Sequence, residues 1–475
     1  MIFKLKPNEI AVMQILVDTA AAEGVEAYLV GGFVRDRLIN RVTKDIDIVC
    51  IGKGIEFAEA VSRRLSPKPK LQVYRQFGTA ALHWRNFELE FVGARRESYR
   101  ADSRKPLVED GTLTDDQNRR DFTINALAIR LDATIFTDTP TLLDSFGGVA
   151  DLASGIIRTP LNPDITFSDD PLRMLRAVRF ATQLDYTITP ETLEAITRNA
   201  DRIRIISMER VAIELQKIMA TAVPSVGFKL LFKTGLLQIL LPELASLHGV
   251  EWREGIGHKD NFYHTLQVLD NLCATSDNIW LRWSALLHDI AKAKTKRFEP
   301  EIGWTFHGHE VVGARWVPRI FERMKLPLDA QMKYVQKHVE LHMRPITLTK
   351  EGITDSAVRR LLFDAGDDID DLMLLARADI TSKKEEKVVR YLRNYDELVI
   401  RLREIEEKDR LRNWQPPIDG ELIMQTFGIS PSRSVGIIKN KIREAILDGI
   451  IENNFEAAHG LMLRKGAELG LKVAM

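Results

Sequence analysis

"YLVGGFVRDRLINRVTKDIDIVC", residues 28–50, decides how the N-terminal part of the chain folds. It starts apolar, turns at Gly31-Gly32, runs through a short basic helical stretch, and sets Asp45 and Asp47 into an otherwise apolar run. Side chains alternate along a strand, so Asp-x-Asp presents both carboxylates on one face. Two like charges held so close are unfavourable unless a cation neutralises them. Oxygen ligands left partly open suit Mg2+, whose shell substrate phosphates complete. Gly31 and Gly32 let backbone amides approach an anion, and the helix starting near Phe33 adds its positive end. Together these features point to metal-dependent phosphoryl transfer. Taken alone, an Asp-x-Asp favours the plainer reading of a simple glycine turn followed by solvated strand ends.

Outward from this stretch, Tyr28–Val30, Ile46–Ile51, Gln72–Tyr74, Thr79–Trp84, Glu88–Val92 and Ala128–Ile129 read as strands separated by turns. Ahead of them, Ile10, Met13, Leu16, Val17 and Ala20 recur at helical spacing around Glu9 and Asp18, which reads as a helix and not a signal peptide. From about residue 168 the helical period dominates to the C-terminus, and "RNWQPPIDG", residues 412–420, reads as a linker because consecutive prolines cannot continue a helix. The plan is α+β: a head with a small mixed sheet, then an all-α neck, body and tail. Boundaries are expected at 1–150 (head), 151–250 (neck), 251–390 (a second catalytic domain) and 391–475 (tail).

Composition sets outer limits. At 475 residues the chain is too long for one core. Lys and Arg total 67, as do Asp and Glu, so a nucleic-acid surface has to be a local basic patch balanced elsewhere. Two cysteines, Cys50 and Cys273, are too few for a disulfide framework and suit a reducing cytoplasm. No apolar run reaches membrane-spanning length, so no membrane partner is expected.

Four later segments follow in a fixed order: "RRDFTINALA" (119–128), "LLDSFGGVADL" (142–152), "DDPLRMLRAVRF" (169–180) and "SMERVAIEL" (207–215). With "GGFVRD" and "KDIDIV", they resemble the signature motifs of class II tRNA nucleotidyltransferases, the family of CCA-adding enzymes and bacterial poly(A) polymerases. The resemblance covers about the first half of the chain strongly. It implies that Asp45 and Asp47 are catalytic and hold Mg2+ while the RNA 3′-hydroxyl attacks the nucleotide α-phosphate in line. It implies nucleotide binding by Gly31, Gly32, Arg35, Arg119, Arg120, Asp121, Asp170, Arg173, Arg176 and Arg179, with CTP, ATP and tRNA as partners. Arg119, Arg120 and Asp121 would meet phosphates and the ribose 2′-hydroxyl, although Asp121 also suits a helix cap for "FTINALA".

Asp170 and Arg173 stand three apart, which on a helix is one face. A carboxylate accepts from an exocyclic amine and a guanidinium donates to a ring acceptor, the pattern that C and A share and that U and G reverse. The pair therefore selects C and A without a template. The competing reading makes Asp170 a cap before Pro171 and Arg173 a surface ion pair. The family often has Glu before this Asp, where this chain has Asp169. "RRESYRADSRKPLVEDGTL", residues 95–113, matches the family's flexible loop between the first two motifs, which helps the site switch from C to A.

A second constellation lies in "HTLQVL … LLHDIAK … GHE … KH … ARADI". His264, His288, Asp289 and Asp379 resemble the ligands of an HD domain, which implies a divalent metal that activates water on phosphate esters. Imidazole with carboxylate suits Mn, Ni, Fe or Zn. His309 and His338 are candidates for a second metal, and His342 shares a helix face with His338. In the tail, Lys439, Lys441 and Arg443 suit RNA phosphates as well as they suit packing against the body. A poly(A) polymerase or A-adding enzyme would share every head residue named here. A different class, an HD-type nucleotide hydrolase or sensor with a degenerate head, is disfavoured by the complete acid and arginine set.

Overall fold

A computed structural model describes residues 3–75, 78–100, 103–351, 354–381, 385–409 and 416–474. The chain forms two compact units, Met1–Pro242 and Glu243–Met475. The first is built on a seven-stranded mixed sheet in the order β3-β4-β5-β2-β1-β8-β9. Its strands are β1 (Ala27–Val30), β2 (Asp45–Cys50), β3 (Leu71–Tyr74), β4 (Thr79–Trp84), β5 (Phe87–Gly93), β8 (Ala128–Arg130) and β9 (Leu142–Leu143), with β6 (Arg95–Arg100) and β7 (Ser103–Asp110) forming a separate antiparallel ribbon. Every strand expected in the head is present. The stretch expected as the loop 95–113 is instead largely this ribbon; its residues 101–102 lie outside the described residues.

Helix α1 (Pro7–Glu23) begins with Pro at its first turn and ends at Gly24 in the left-handed region (φ 64°). Val12, Met13, Leu16, Val17 and Ala20 are buried, while Ile10 is exposed, so the buried stripe is rotated slightly from the expected one. Glu9, also buried, receives the Lys6 amide at 2.7 Å and lies 3.3 Å from Arg37 of α2 (Gly32–Leu38). That pair ties α1 to the helix following the glycine turn. Helix α3 (Gly54–Arg64) packs on the sheet, its Phe57 edge-on to Phe91 at 5.8 Å between ring centres.

Helix α4 (Leu113–Asn118) is closed by a capping box between Thr112 and Asp115. After β9, Asp144 accepts the amides of Gly148 and Val149 at 2.6 and 3.0 Å and so starts α5 (Gly148–Ser154). Gly148 is obligatory there: a Cβ would stand 2.3 Å from the Thr123 carbonyl oxygen. Helices α6 (Pro163–Asp169), α7 (Leu172–Leu184), α8 (Pro190–Asn199) and α9 (Met208–Met219) follow, so the change to helix comes slightly before residue 168.

Among its described residues, the second unit's regular structure is helical apart from two small antiparallel pairs, Trp252–Arg253 with Ile256–Gly257 and Arg297–Glu299 with Gly303–Thr305. The helices Asn261–Cys273, Ile279–Leu287, His309–Arg323, Ala330–Leu341 and Ile369–Asp379 carry or adjoin the histidine and aspartate constellation. One apolar cluster joins the helices Asp355–Ala365, Ile369–Asp379 and Glu385–Asp409, and another closes the tail around Ile423, Ile438, Ile442 and Met462. Residues 412–415 of the expected linker lie outside the described residues; Asp419 caps the next helix, Gly420–Phe427. Among the described residues no helix is long and apolar enough to cross a membrane.

Candidate functional site

The glycine turn, β2 and β5 wall a cavity of about 1240 Å³. Strand β2 alternates as expected, with Ile46 and Ile48 buried and Asp45 and Asp47 on the opposite face. Its parallel neighbour β5 sets Glu88 beside Asp45 and Glu90 beside Asp47, while Phe87, Leu89 and Phe91 point into the core. Four carboxylates therefore line one mouth of the cavity. Burial raises the Asp47 pKa to about 6; Arg120 works against this, and Glu90 and Asp45 add to it. This surplus of negative charge fits a divalent cation. Gly31 has φ 69°, and a Cβ there would stand 3.0 Å from Arg120 Nη1 and 3.1 Å from Asp47 Oδ2. The glycine lets acid, arginine and backbone converge.

Arginines share the cavity with these acids, forming an arginine wall. Buried Asp116 of α4 holds both Arg119 and Arg120; Nε of Arg120 donates to it at 3.0 Å. Asp121 accepts from the Phe122 amide (2.9 Å), Asn125 Nδ2 (2.9 Å) and Arg176 Nε (2.6 Å). Burial alone would raise its pKa, but Arg176 and Asn125 overcome that and hold it at about 2. Arg35 donates to Asn125 Oδ1 at 2.7 Å. The Phe180 ring carries Arg35 at 4.8 Å, Arg176 at 5.4 Å and Arg179 at 4.1 Å. Such stacking holds guanidinium groups in place while leaving N–H groups for an anion. Burial lowers the Arg179 pKa to about 10, against the pull of Glu214 at 2.8 Å on α9.

In the second unit, His264 lies on the helix Asn261–Cys273 and Asp379 is the last residue of Ile369–Asp379; His288 and Asp289 stand just past Ile279–Leu287. Two groups of potential ligands form: His264, His288 and Asp379, and Asp289, His309 and His342. Asp289 joins them, with one oxygen 3.2 Å from His288 Nε2 and the other 3.2 Å from His309 Nε2. Nδ1 of His288, His309 and His342 faces the carbonyls of Ala285, Phe306 and Val339 at 2.8, 2.8 and 2.7 Å. Donating there fixes each tautomer and leaves the Nε2 lone pair facing inward, the arrangement of metal-bound imidazoles. His288 Nε2 and Asp289 Oδ1 are buried and make no hydrogen bond of good geometry, which a cation would remedy. His338 stands apart. Its ring lies against Tyr334 (4.1 Å between centres) and its Nδ1 faces the Tyr334 carbonyl, so His342 and not His338 joins His309.

Residues 27–158 match the family described as "Poly A polymerase head domain", 185–247 that described as "Probable RNA and SrmB- binding site of polymerase A", and 261–384 the HD domain. A "Multifunctional CCA protein" of Shewanella frigidimarina is 33% identical over 364 residues, 72% of this chain and 79% of the relative. This chain belongs to the tRNA nucleotidyltransferase and poly(A) polymerase family. An "A-adding tRNA nucleotidyltransferase" of Deinococcus radiodurans is 31% identical, over 70% of this chain and 75% of its own. The solved CCA-adding enzyme of Thermotoga maritima in complex with tRNA shares the fold, with TM-score 0.61 and 22% identity, covering 98% of this chain and 96% of that one.

Within this nucleotidyltransferase, Arg119, Asp170 and Arg173 are not among the residues lining the cavity. Asp170 ends α6, accepts the Leu172 amide at 3.2 Å and stands 3.6 Å from Arg210. Arg173 donates to the carbonyls of Arg119 (2.6 Å) and Thr166 (3.3 Å), linking α7 to the arginine wall. In the tail, Lys439 and Lys441 are exposed, whereas Arg443 pairs with Glu444 at 3.1 Å. The sequence alone does not single out Glu88, Glu90, Asp116 and Asn125 as site residues. The alternation in "FELEF" was the only available signal for the first two.

Proposed function

We propose that this protein adds C and A to the 3′ end of tRNA from CTP and ATP without a nucleic-acid template, and that its HD domain hydrolyses phosphate esters. The observation that carries the first part is the carboxylate cluster of Asp45 and Asp47, with Glu90 beside them, lining one cavity with Arg35, Arg120, Arg176 and Arg179. Asp45 and Asp47 would hold Mg2+, which when bound supplies the Lewis acidity that lowers the pKa of an attacking 3′-hydroxyl and balances a departing pyrophosphate. Arg120 in the cavity wall, with Arg119 held beside it by Asp116, binds the triphosphate. Asp121 orients Arg176 and Asn125 beside the sugar. Asp170 and Arg173 read the base edge once a nucleotide draws them from their internal partners. With the phosphates fixed and the acids aligned, most of the rate enhancement comes from positioning and charge neutralisation.

In the HD domain, His264, His288, Asp289 and Asp379 would hold a Mn, Ni, Fe or Zn ion, with His309 and His342 facing a second across Asp289. Such an ion supplies an activated water. A cyclic phosphate, a phosphomonoester or a nucleotide fits that chemistry.

The deciding experiment incubates the protein with tRNA lacking its 3′ end and each labelled nucleotide in turn. Sequential incorporation of two C and one A is expected. Incorporation of A alone onto a tRNA already ending in CC would support the A-adding reading suggested by the Deinococcus relative. Long A runs on unrelated RNA would make it a poly(A) polymerase.

A further inference from the structure

Two further cations, Arg41 and Lys44, line the head cavity from the connection between α2 and β2. That connection is held at both ends. The Arg41 amide donates to the Asp36 carbonyl at 2.8 Å and the Arg41 carbonyl accepts from the Arg37 side chain, while the Lys44 carbonyl accepts the Glu88 amide at 3.0 Å. Arg41 Nη1 donates to the Gln183 carbonyl in the last turn of α7 at 3.1 Å. Lys44 is exposed, and among the described residues neither cation pairs with a carboxylate.

What these cations face follows from where the triphosphate lies. The groups that suit its phosphates gather at Asp47. Strand β1 ends opposite that residue at Val30, and Gly31 stands against both Asp47 Oδ2 and Arg120 Nη1. Asp45 is the first residue of β2, about 6.6 Å along the strand from Asp47. In the transfer, the 3′-oxygen bonds to the α-phosphorus as the bond to pyrophosphate breaks. Pyrophosphate leaves with the electron pair, and the hydroxyl proton passes to water. Entering and leaving oxygens are in line. With pyrophosphate at the Asp47 end, the hydroxyl arrives at the Asp45 end, beside residues 41–44.

Helix α7 gives the same direction. Arg173 and Arg176 lie in its first half, and Gln183, which carries Arg41, lies about 15 Å beyond Arg173. An RNA strand entering at this end brings its phosphates past Asp45 and Glu88, which repel them. Cations on a fixed backbone offset that repulsion.

We infer that Arg41 and Lys44 are positioning residues that hold the backbone phosphates next to the RNA 3′ end and so aim the attacking hydroxyl, with no part in holding the nucleotide. The inference deepens the proposed nucleotide addition and rests on it.

The test uses full-length Arg41→Ala, Lys44→Ala and Arg41→Lys with tRNA lacking its 3′ end. One phosphate contact to a single strand carries a salt slope of about 0.7, or about five-fold in affinity between 1 M and 0.1 M salt. Each Ala variant should therefore raise the KM for tRNA about five-fold at 0.1 M salt and reduce its salt slope by about 0.7. ATP binding measured by calorimetry without RNA should stay within about two-fold of wild type, and Arg41→Lys should recover most of the loss. Weaker ATP binding in step with the loss for tRNA would place these cations on the triphosphate and overturn the inference. An unchanged salt slope in Lys44→Ala, whose side chain has no internal partner to lose, would overturn it too. A wild type that adds no nucleotide would refute the proposed function, and the inference would then rest on fluorescence anisotropy of an RNA acceptor hairpin ending in a 3′-deoxynucleotide. Weaker hairpin binding in both Ala variants upholds the inference; equal binding refutes it.

Discussion

Replacing Asp47 by Asn should stabilise the metal-free protein while abolishing nucleotide addition. The Asp47 carboxyl titrates at about 6 instead of 3.8, first because it is buried and then because Glu90 and Asp45 stand nearby. A native pKa above the unfolded one means that the folded state keeps its proton longer. The wild type therefore loses stability as pH rises from about 4 to about 6, and the loss is constant above that. The difference between these two values corresponds to about 3 kcal/mol. Asp47 is only half-buried by surface area, so this figure is an upper bound. For a unit of this size, about 2–4 °C per kcal/mol gives a rise in Tm of up to roughly 6–12 °C. Asn has nothing to titrate, so its advantage should be nil near pH 4 and complete above about pH 6.5. Contributions from Asp121, held at about 2, act in the opposite sense at lower pH and are common to both proteins. Thermal denaturation of EDTA-treated wild type and Asp47→Asn from pH 4 to 8 measures the difference. Adding Mg2+ should raise the Tm of wild type and leave the variant nearly unmoved. A variant no more stable than wild type at pH 7, or a difference that does not vary with pH, would show that the acids are not in electrostatic conflict and that the argument for a cation there is unsound.

Arg173→Ala should lower C and A addition together by roughly ten- to a hundred-fold, the cost of one lost hydrogen bond to a buried polar partner, whereas Asp170→Ala should lose discrimination against U and G more than it loses rate. A four-nucleotide incorporation series with melting curves checks both; proportional loss for all four nucleotides with a lower Tm would make Asp170 only a turn-stabilising residue. His342→Ala should reduce bound metal from two ions to one per chain by elemental analysis, and His338→Ala should not. Equal metal content in the two variants would remove His342 from the cluster. His288→Ala with Asp289→Ala should eliminate ester hydrolysis and leave nucleotide addition largely unchanged, since their ligands and those of the head lie in different compact units.

Much of this arrangement was legible because it depends on short periods. Asp45 and Asp47 share a face for the same reason that Ile46 and Ile48 share the other, and the α+β plan follows from where period two gives way to 3.6. What was not legible depends on pairing over distance. Glu88 and Glu90 look like the solvent side of an ordinary half-buried strand until β5 lies parallel to β2. His338 and His342 have the same helical spacing, and only the packing of their helix decides which ring meets Asp289 and which meets Tyr334. The ribbon of β6 and β7 is not visible in the sequence because Pro106 and the charges around it depress strand signals. The use of Arg173 on two backbone carbonyls could not be inferred from an i,i+3 count.

The parallel pairing of β2 with β5 ties heritable variation in the core to variation in the chemistry. Phe87, Leu89 and Phe91 occupy the interior only in the register that also brings Glu88 and Glu90 beside the aspartates. Removing one residue from within β5 would send the phenylalanines to water and the glutamates to the core at once. Length changes in this part of the chain should therefore be tolerated only in connections such as the β4–β5 turn at Arg85 and Asn86. The same deletion that misplaces the acids also disrupts the fold that would carry them, so core and chemistry fail together.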